Sequence, residues 1–124
     1  MSEELIRSAR AVMKQAYAPY SKFRVGAAIE TESGNIYTGC NVENASYGLT
    51  LCAERNAIGA AIAAGESDFV RVAIVTSGRK LTSPCGACRQ VLREFGPRLE
   101  VLLAGGKQVK RLSLEKLLPN AFHA

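Results

Sequence analysis

Apolar residues return at helical spacing from Glu3 to Tyr17, at Leu5, Ala9, Val12, Met13 and Ala16. This predicts an amphipathic helix with Ser2 as its N-cap and Pro19 beyond its end. The period then shortens. Phe23 to Thr31 and Ile36 to Cys40 are rich in small and β-branched residues, and Glu32-Ser33-Gly34-Asn35 between them is turn chemistry, which together predict an antiparallel hairpin. An Ala- and Ile-rich run from Cys52 to Ala64, closed by Gly65, predicts a second helix, and Val70 to Thr76 reads as a strand buried on both faces. Pro84 opens a third predicted helix that runs to about Phe95 and is stopped by Gly96-Pro97. Leu99 to Leu103 follows as an apolar strand, and Ser113 caps a short last helix to Leu118. The order helix, two strands, helix, strand, helix, strand predicts an α/β fold. A mixed sheet is covered by helices on both faces, with the later strands parallel through right-handed crossovers. No internal repeat or linker interrupts it, and 124 residues suit a single domain, 1–124.

Composition and charge narrow the options. Hydrophobic residues make up 48% of the chain before 11 Gly are counted, so some apolar surface is expected to be shared with other copies. The net charge is +5, but Lys and Arg are scattered and only Lys107 to Arg111 comes near to a basic run, so ordinary solvated surface is expected. An aromatic content of 6% without a stacking cluster or basic stripe argues against a nucleic-acid-binding module built on a structural zinc. Met1 to Ser8 carries two acids and no apolar stretch, and nothing approaches the ~18 apolar residues of a membrane span, so a cytoplasmic protein is expected. Thiols stay reduced there. The four cysteines, Cys40, Cys52, Cys85 and Cys88, are therefore expected to serve metal binding or catalysis and not a disulfide framework.

Cys85-Gly86-Ala87-Cys88 places two sulfurs on one face of a helix start, where both reach one ion; a thioredoxin-like redox pair is the rival reading. Cys52 is the natural third ligand, because it too opens a helix after a loop, and the positive end of each helix favours thiolate. The single histidine, His123, lies beyond Pro119 and is expected to be solvated. Cys40 would close the site as a fourth thiolate, or else serve as a small buried apolar residue. Three protein ligands leave a position for water, the arrangement of a catalytic zinc. Glu54 is two residues from Cys52 and so points to another side of the helix. It either stabilises the helix start or reaches the metal-held water as a general acid and base. Arg55 and Arg89 each fall in a first helical turn, where a cation is disfavoured. The charge of three thiolates on one zinc would account for both, unless they only extend to solvent.

Cys52-Ala53-Glu54-Arg55 followed by Pro84-Cys85-Gly86-Ala87-Cys88-Arg89 resembles the C-A-E and P-C-x-x-C elements of the short, single-domain, three-cysteine cytidine deaminases. The likeness extends from Phe23-Arg24-Val25-Gly26-Ala27-Ala28 to Leu118-Pro119-Asn120-Ala121-Phe122. It implies a three-layer α/β/α fold on a mixed five-stranded sheet, one zinc per chain, and hydrolysis of cytidine and deoxycytidine to uridine and deoxyuridine plus ammonia in pyrimidine salvage. In that mechanism a zinc-held hydroxide attacks C4 of the base while Glu54 shuttles protons. The segment Asn41 to Tyr47 looks like the family's nucleoside-binding stretch, although as a polar loop it would also suit Asx turns. The resemblance implies that Asn41 and Glu43 bind the sugar 3′-hydroxyl and that Phe23 and Tyr47 line the substrate. It further implies that the Ala53 N–H holds the base O2 and that the Ser83 carbonyl receives the 4-amino group. A homotetramer is implied as well, with Phe122 of one subunit closing over the base bound in another. A relative acting on another aminopyrimidine nucleoside, such as a blasticidin-type antibiotic, is the nearest alternative.

Overall fold

The computed structural model describes residues 2–124. Helix α1 spans Ser2–Met13, and strands β1 (Val25–Thr31) and β2 (Ile36–Cys40) form the expected antiparallel hairpin. After a 3-10 turn at Tyr47–Leu49 come α2 (Ala53–Ala63), β3 (Phe69–Thr76), α3 (Gly86–Phe95), β4 (Glu100–Gly105), β5 (Gln108–Ser113) and α4 (Leu114–Leu117). The sheet order is β2-β1-β3-β4-β5. Among neighbouring strands of the described residues only β3 and β4 pair in parallel; β5 returns antiparallel to β4, so the sheet is mixed and five-stranded.

Period-two alternation divides the core between the two faces. Ala27, Ile29, Val72, Ile74, Val101 and Leu103 point to one side and pack with Ala57, Ile58 and Ala61 of α2, Leu92 of α3 and Leu114 of α4. Ala28, Ala73, Val75, Leu102 and Ala104 point to the other side, where Leu5 and Ala9 of α1 cover them. The helices thus form the outer layers of an α/β/α sandwich. Two glycines let them approach. A Cβ on Gly26 would stand 2.0 Å from the Ala9 carbonyl oxygen, and one on Gly39 would stand 2.4 Å from the Ala57 nitrogen. The second contact seats α2, and with it the chemistry at its start, directly on β2.

The sequence reading differs from the structure at several ends. Helix α1 stops at Met13 instead of Tyr17, because Gln15 and Ala16 donate to the carbonyls of Val12 and Met13 in a tightened last turn. Ser2 is the first helical residue, which moves the cap position outside the described residues. Cys52 and Cys85 prove to be N-caps of α2 and α3, and Ser113 caps α4 as expected, accepting from the Lys116 N–H at 3.2 Å. Strand β5 is absent from the element pattern altogether; it holds much of the basic run that read as solvated surface.

Glu66, just beyond α2, gathers the hairpin. Its carboxylate accepts from Thr31 Oγ1 at 2.7 Å, from Asn35 Nδ2 at 2.8 Å, and from the Ser33 and Tyr37 hydroxyls. These donors, Ser33 foremost, hold its pKa down from 4.5 to about 2. A depressed folded-state pKa stabilises the fold above the unfolded value, and that contribution disappears as pH falls through the folded value. Glu66→Gln is therefore expected to lower the melting temperature near neutral pH and to lose this effect at strongly acid pH. Equal differences from the parent protein at about pH 7 and about pH 3 would contradict the assignment.

Candidate metal centre

The starts of α2 and α3 meet on one side of the sheet and bring three sulfurs together. Cys52, Cys85 and Cys88 place their Sγ atoms within 4.8 Å of one another, the grouping of potential metal ligands found among the described residues. The loop before each helix supplies an extended N-cap, with φ −72°, ψ 149° at Cys52 and φ −67°, ψ 167° at Cys85. Cys88 follows one turn into α3 and is fully buried. Cys40, half-buried at the end of β2, stays outside the group.

The electrostatics fit a soft cation. Burial, the Glu54 carboxylate and Cys52 push the Cys88 thiol up, so without a cation it keeps its proton. Burial also opposes ionisation of Cys85, but the N–H groups of Cys88 and Ala87 and the Cys88 thiol outweigh it and hold Cys85 below its ordinary value. Of the two cysteines on α3, Cys85 is thus the readier thiolate, and Cys88 gives up its proton only to a cation. A divalent ion that prefers sulfur, with bonds of ~2.3 Å, is what such a donor set accommodates.

Glu54 is 6% exposed, one residue into α2 from Ala53, and its carboxyl group faces Cys88 and its own backbone N–H. Burial raises its pKa, against smaller opposing contributions from that N–H, Cys88 and Arg55. Arg55 extends over the cluster and donates from NH2 to Cys52 Sγ at 3.4 Å. The hydrogen bond and charge of Cys52 in turn raise the pKa of the guanidinium. Arg89 does not repeat this arrangement: Nε donates to the Pro84 carbonyl and NH1 to the Leu117 carbonyl, each at 2.7 Å. Arg55 thus bonds a sulfur of the cluster, whereas both side-chain bonds of Arg89 go to backbone carbonyls.

The segment before α2 is bound to the loop before β1. Asn41 is buried; Oδ1 accepts from the Val25 N–H and Nδ2 donates to the Phe23 carbonyl, both at 2.9 Å. Glu43 accepts from the N–H groups of Tyr20 at 2.9 Å and Ser21 at 3.1 Å and from the Ser21 hydroxyl, which chiefly holds its carboxyl below the usual range. Tyr20, Ser21, Glu43, Tyr47 and Thr50 enclose a recess of about 320 Å³, with Tyr47 meeting Tyr20 edge-on at 5.8 Å between centroids. Asn44 forms an Asx turn to the Ser46 N–H at 2.8 Å. Tyr20 and Ser21 did not stand out in the sequence; two exposed tyrosines flanking Pro19 were the available signal. Ala53 is the first residue of α2, so its N–H has no acceptor within the helix. Ser83 is exposed on the loop before Cys85, and Phe122 leaves its ring 76% exposed while its carbonyl accepts from Gln90 at 3.1 Å.

Three thiols at two helix starts with a buried carboxyl beside them, on a mixed α/β/α sheet, define a zinc-binding deaminase fold. The model of the cytidine and deoxycytidylate deaminase zinc-binding region matches residues 1–104. Cytidine deaminase from Sporosarcina psychrophila is 46% identical over 122 residues, covering 97% of this chain and 90% of its own. The crystal structure of cytidine deaminase from Burkholderia pseudomallei superposes with a TM-score of 0.92 at 50% identity, covering 98% of this chain and 99% of that one. The structure of the Mycobacterium tuberculosis enzyme gives 0.87 at 41% identity, with 99% and 98% covered. The chain belongs to the cytidine and deoxycytidylate deaminase family. Its cofactor is zinc, for which the three cysteines supply the ligand cluster.

Proposed function

We propose that residues 1–124 act as one zinc-dependent domain that hydrolyses cytidine and deoxycytidine to uridine and deoxyuridine plus ammonia, in pyrimidine salvage. The observation that carries this reading is the convergence of Cys52, Cys85 and Cys88 beside the buried carboxyl of Glu54. Zinc held there by three protein ligands supplies a Lewis acid next to a position open to water. Glu54, its pKa raised by burial, is suited to take a proton from water and return it to the base and the departing amine. The Ala53 N–H is free to hold the base O2, and the Ser83 carbonyl to accept from the 4-amino group. Asn41 bonds the Val25 N–H and the Phe23 carbonyl on either side of Arg24, which leaves further lone-pair and N–H capacity for the sugar.

Glu43, its carboxyl held below the usual range chiefly by the Ser21 hydroxyl and with Lys22 contributing, faces the recess beside Tyr20, Ser21, Tyr47 and Thr50, where it is suited to accept from a sugar hydroxyl. Ammonia release from cytidine, deoxycytidine, deoxycytidylate, cytosine, adenosine and a single-stranded oligonucleotide tests the assignment. Turnover of the first two alone supports it, and faster turnover of deoxycytidylate or adenosine overturns it.

Arg55→Gln is expected to reduce kcat more than it raises KM. Loss of a cation beside Cys52 should also move the pH–rate profile upward, since every acid near the metal becomes weaker. An unmoved profile would assign Arg55 to solvent.

The working unit in this reading is a cytoplasmic homotetramer with shared active sites. Among the described residues no helix is long and apolar enough to cross a membrane. Tyr47, Leu49 and Leu51 are 73%, 65% and 48% exposed on the loop leading into α2, beside the exposed Tyr17, Tyr20 and Val42, a patch suited to burial between copies. Phe122 projects from segment 118–124 with no pocket of its own chain around the ring. Deleting residues 120–124 should therefore reduce cytidine turnover by about tenfold or more, the scale of a lost buried aromatic contact, and leave zinc content intact. An active monomer in sedimentation would dismiss the shared site.

A further inference from the structure

Arg89 stands where a helix start disfavours a cation, and its bonds show what compensates it. Both acceptors are carbonyls outside the regular helical bonding, one just before a helix start and one at a helix end. Pro84 precedes the N-cap of α3, ahead of the first helical bond from Arg89 N–H to the Cys85 carbonyl, and Leu117 is the last residue of α4. A planar guanidinium reaches both at 2.7 Å, whereas a lysine ammonium at this position lacks the fork to span them. Pro84 is fully buried, and its carbonyl lies in the peptide leading into Cys85, so holding it restrains the backbone that carries the Cys85 sulfur and, one peptide earlier, the Ser83 carbonyl. The neighbouring Gln90 holds the Phe122 carbonyl at 3.1 Å. Two consecutive side chains of α3 therefore hold segment 117–122, and one of them, Arg89, also holds the turn that carries a metal ligand.

We propose that Arg89 is a positioning residue for the deamination: it orients the Ser83–Cys85 turn through the Pro84 carbonyl and, through the Leu117 carbonyl, couples that turn to the segment bearing Phe122. This rests on the deaminase reading, in which the Ser83 carbonyl and Phe122 meet substrate. Arg89 acts by geometry, unlike Arg55, whose guanidinium lies on a sulfur.

The test compares Arg89→Lys and Arg89→Gln in the zinc-loaded full chain. Measurements are zinc content, kcat and KM for cytidine across pH, and amide hydrogen exchange in residues 84–88 and 118–122. Both variants are expected to retain zinc and to lose on the order of 10- to 100-fold in kcat/KM, the scale of a misplaced reactant. The pH–rate profile should not move, and exchange should accelerate in both segments together. A Lys variant near the parent activity, with a Gln variant whose profile shifts, would mean a charge effect and overturn the proposal. So would parental turnover per folded molecule in both variants, which would leave Arg89 a purely structural role. Cytidine turnover by the unaltered protein tests the deaminase reading separately. Were that turnover absent, joint or separate acceleration of exchange at the two segments would still decide whether Arg89 links them.

Discussion

Glu54→Gln is expected to keep zinc and fold while losing turnover by at least ~10²–10⁴-fold, the range for removing a general acid and base. The amide preserves the shape of a side chain that is only 6% exposed, so packing at the start of α2 should not change. Burial already penalises the charged carboxylate, so the neutral variant should melt at the same temperature or slightly higher. Loss of rate without loss of stability or metal isolates proton transfer from structure. Turnover within a few-fold of the parent would remove Glu54 from the reaction.

The cysteines should divide into three and one. Cys88→Ala deletes a ligand that is fully buried between two other sulfurs, and both zinc and cytidine turnover are expected to disappear. Cys40→Ala should retain one zinc per chain and most activity, because Cys40 lies outside the sulfur group and its substitution removes only a small half-buried side chain. Metal analysis of both purified variants decides the matter. Zinc lost equally from the two would mean a closed four-cysteine site and no coordination position for water.

What could be read from the sequence depended on how local its cause was. Cys52 and Cys85 stand where loops turn into helices, and those turns are written in neighbouring residues such as Pro84 and in the apolar period that follows. The apolar runs of β1, β3 and β4 are equally local, since both faces of those strands are buried and nearly every position is apolar or small. Arg89 could be placed in a first helical turn from the sequence, but not its acceptor at Leu117, which lies 28 residues away and is brought near only by the packing of α4. The bonds from Tyr20 and Ser21 to Glu43 likewise cross 22 and more positions. Strand β5 escaped notice because Val109 and Leu112 are its only large apolar residues and charge dominates the rest. The overlooked signal was Gly106 before Lys107, with φ +59° at the first position of a two-residue hairpin turn.

That same strand bears on how the molecule avoids precipitating. β5 is an outer strand of the sheet, and its free edge offers unpaired backbone groups to any other extended chain. Lys110 and Arg111 are exposed along it, and Lys107 is exposed in the turn before it. A second copy aligning its own β5 there would bring like charges face to face, which disfavours the pairing. The basic run thus guards the outer edge against open-ended sheet growth.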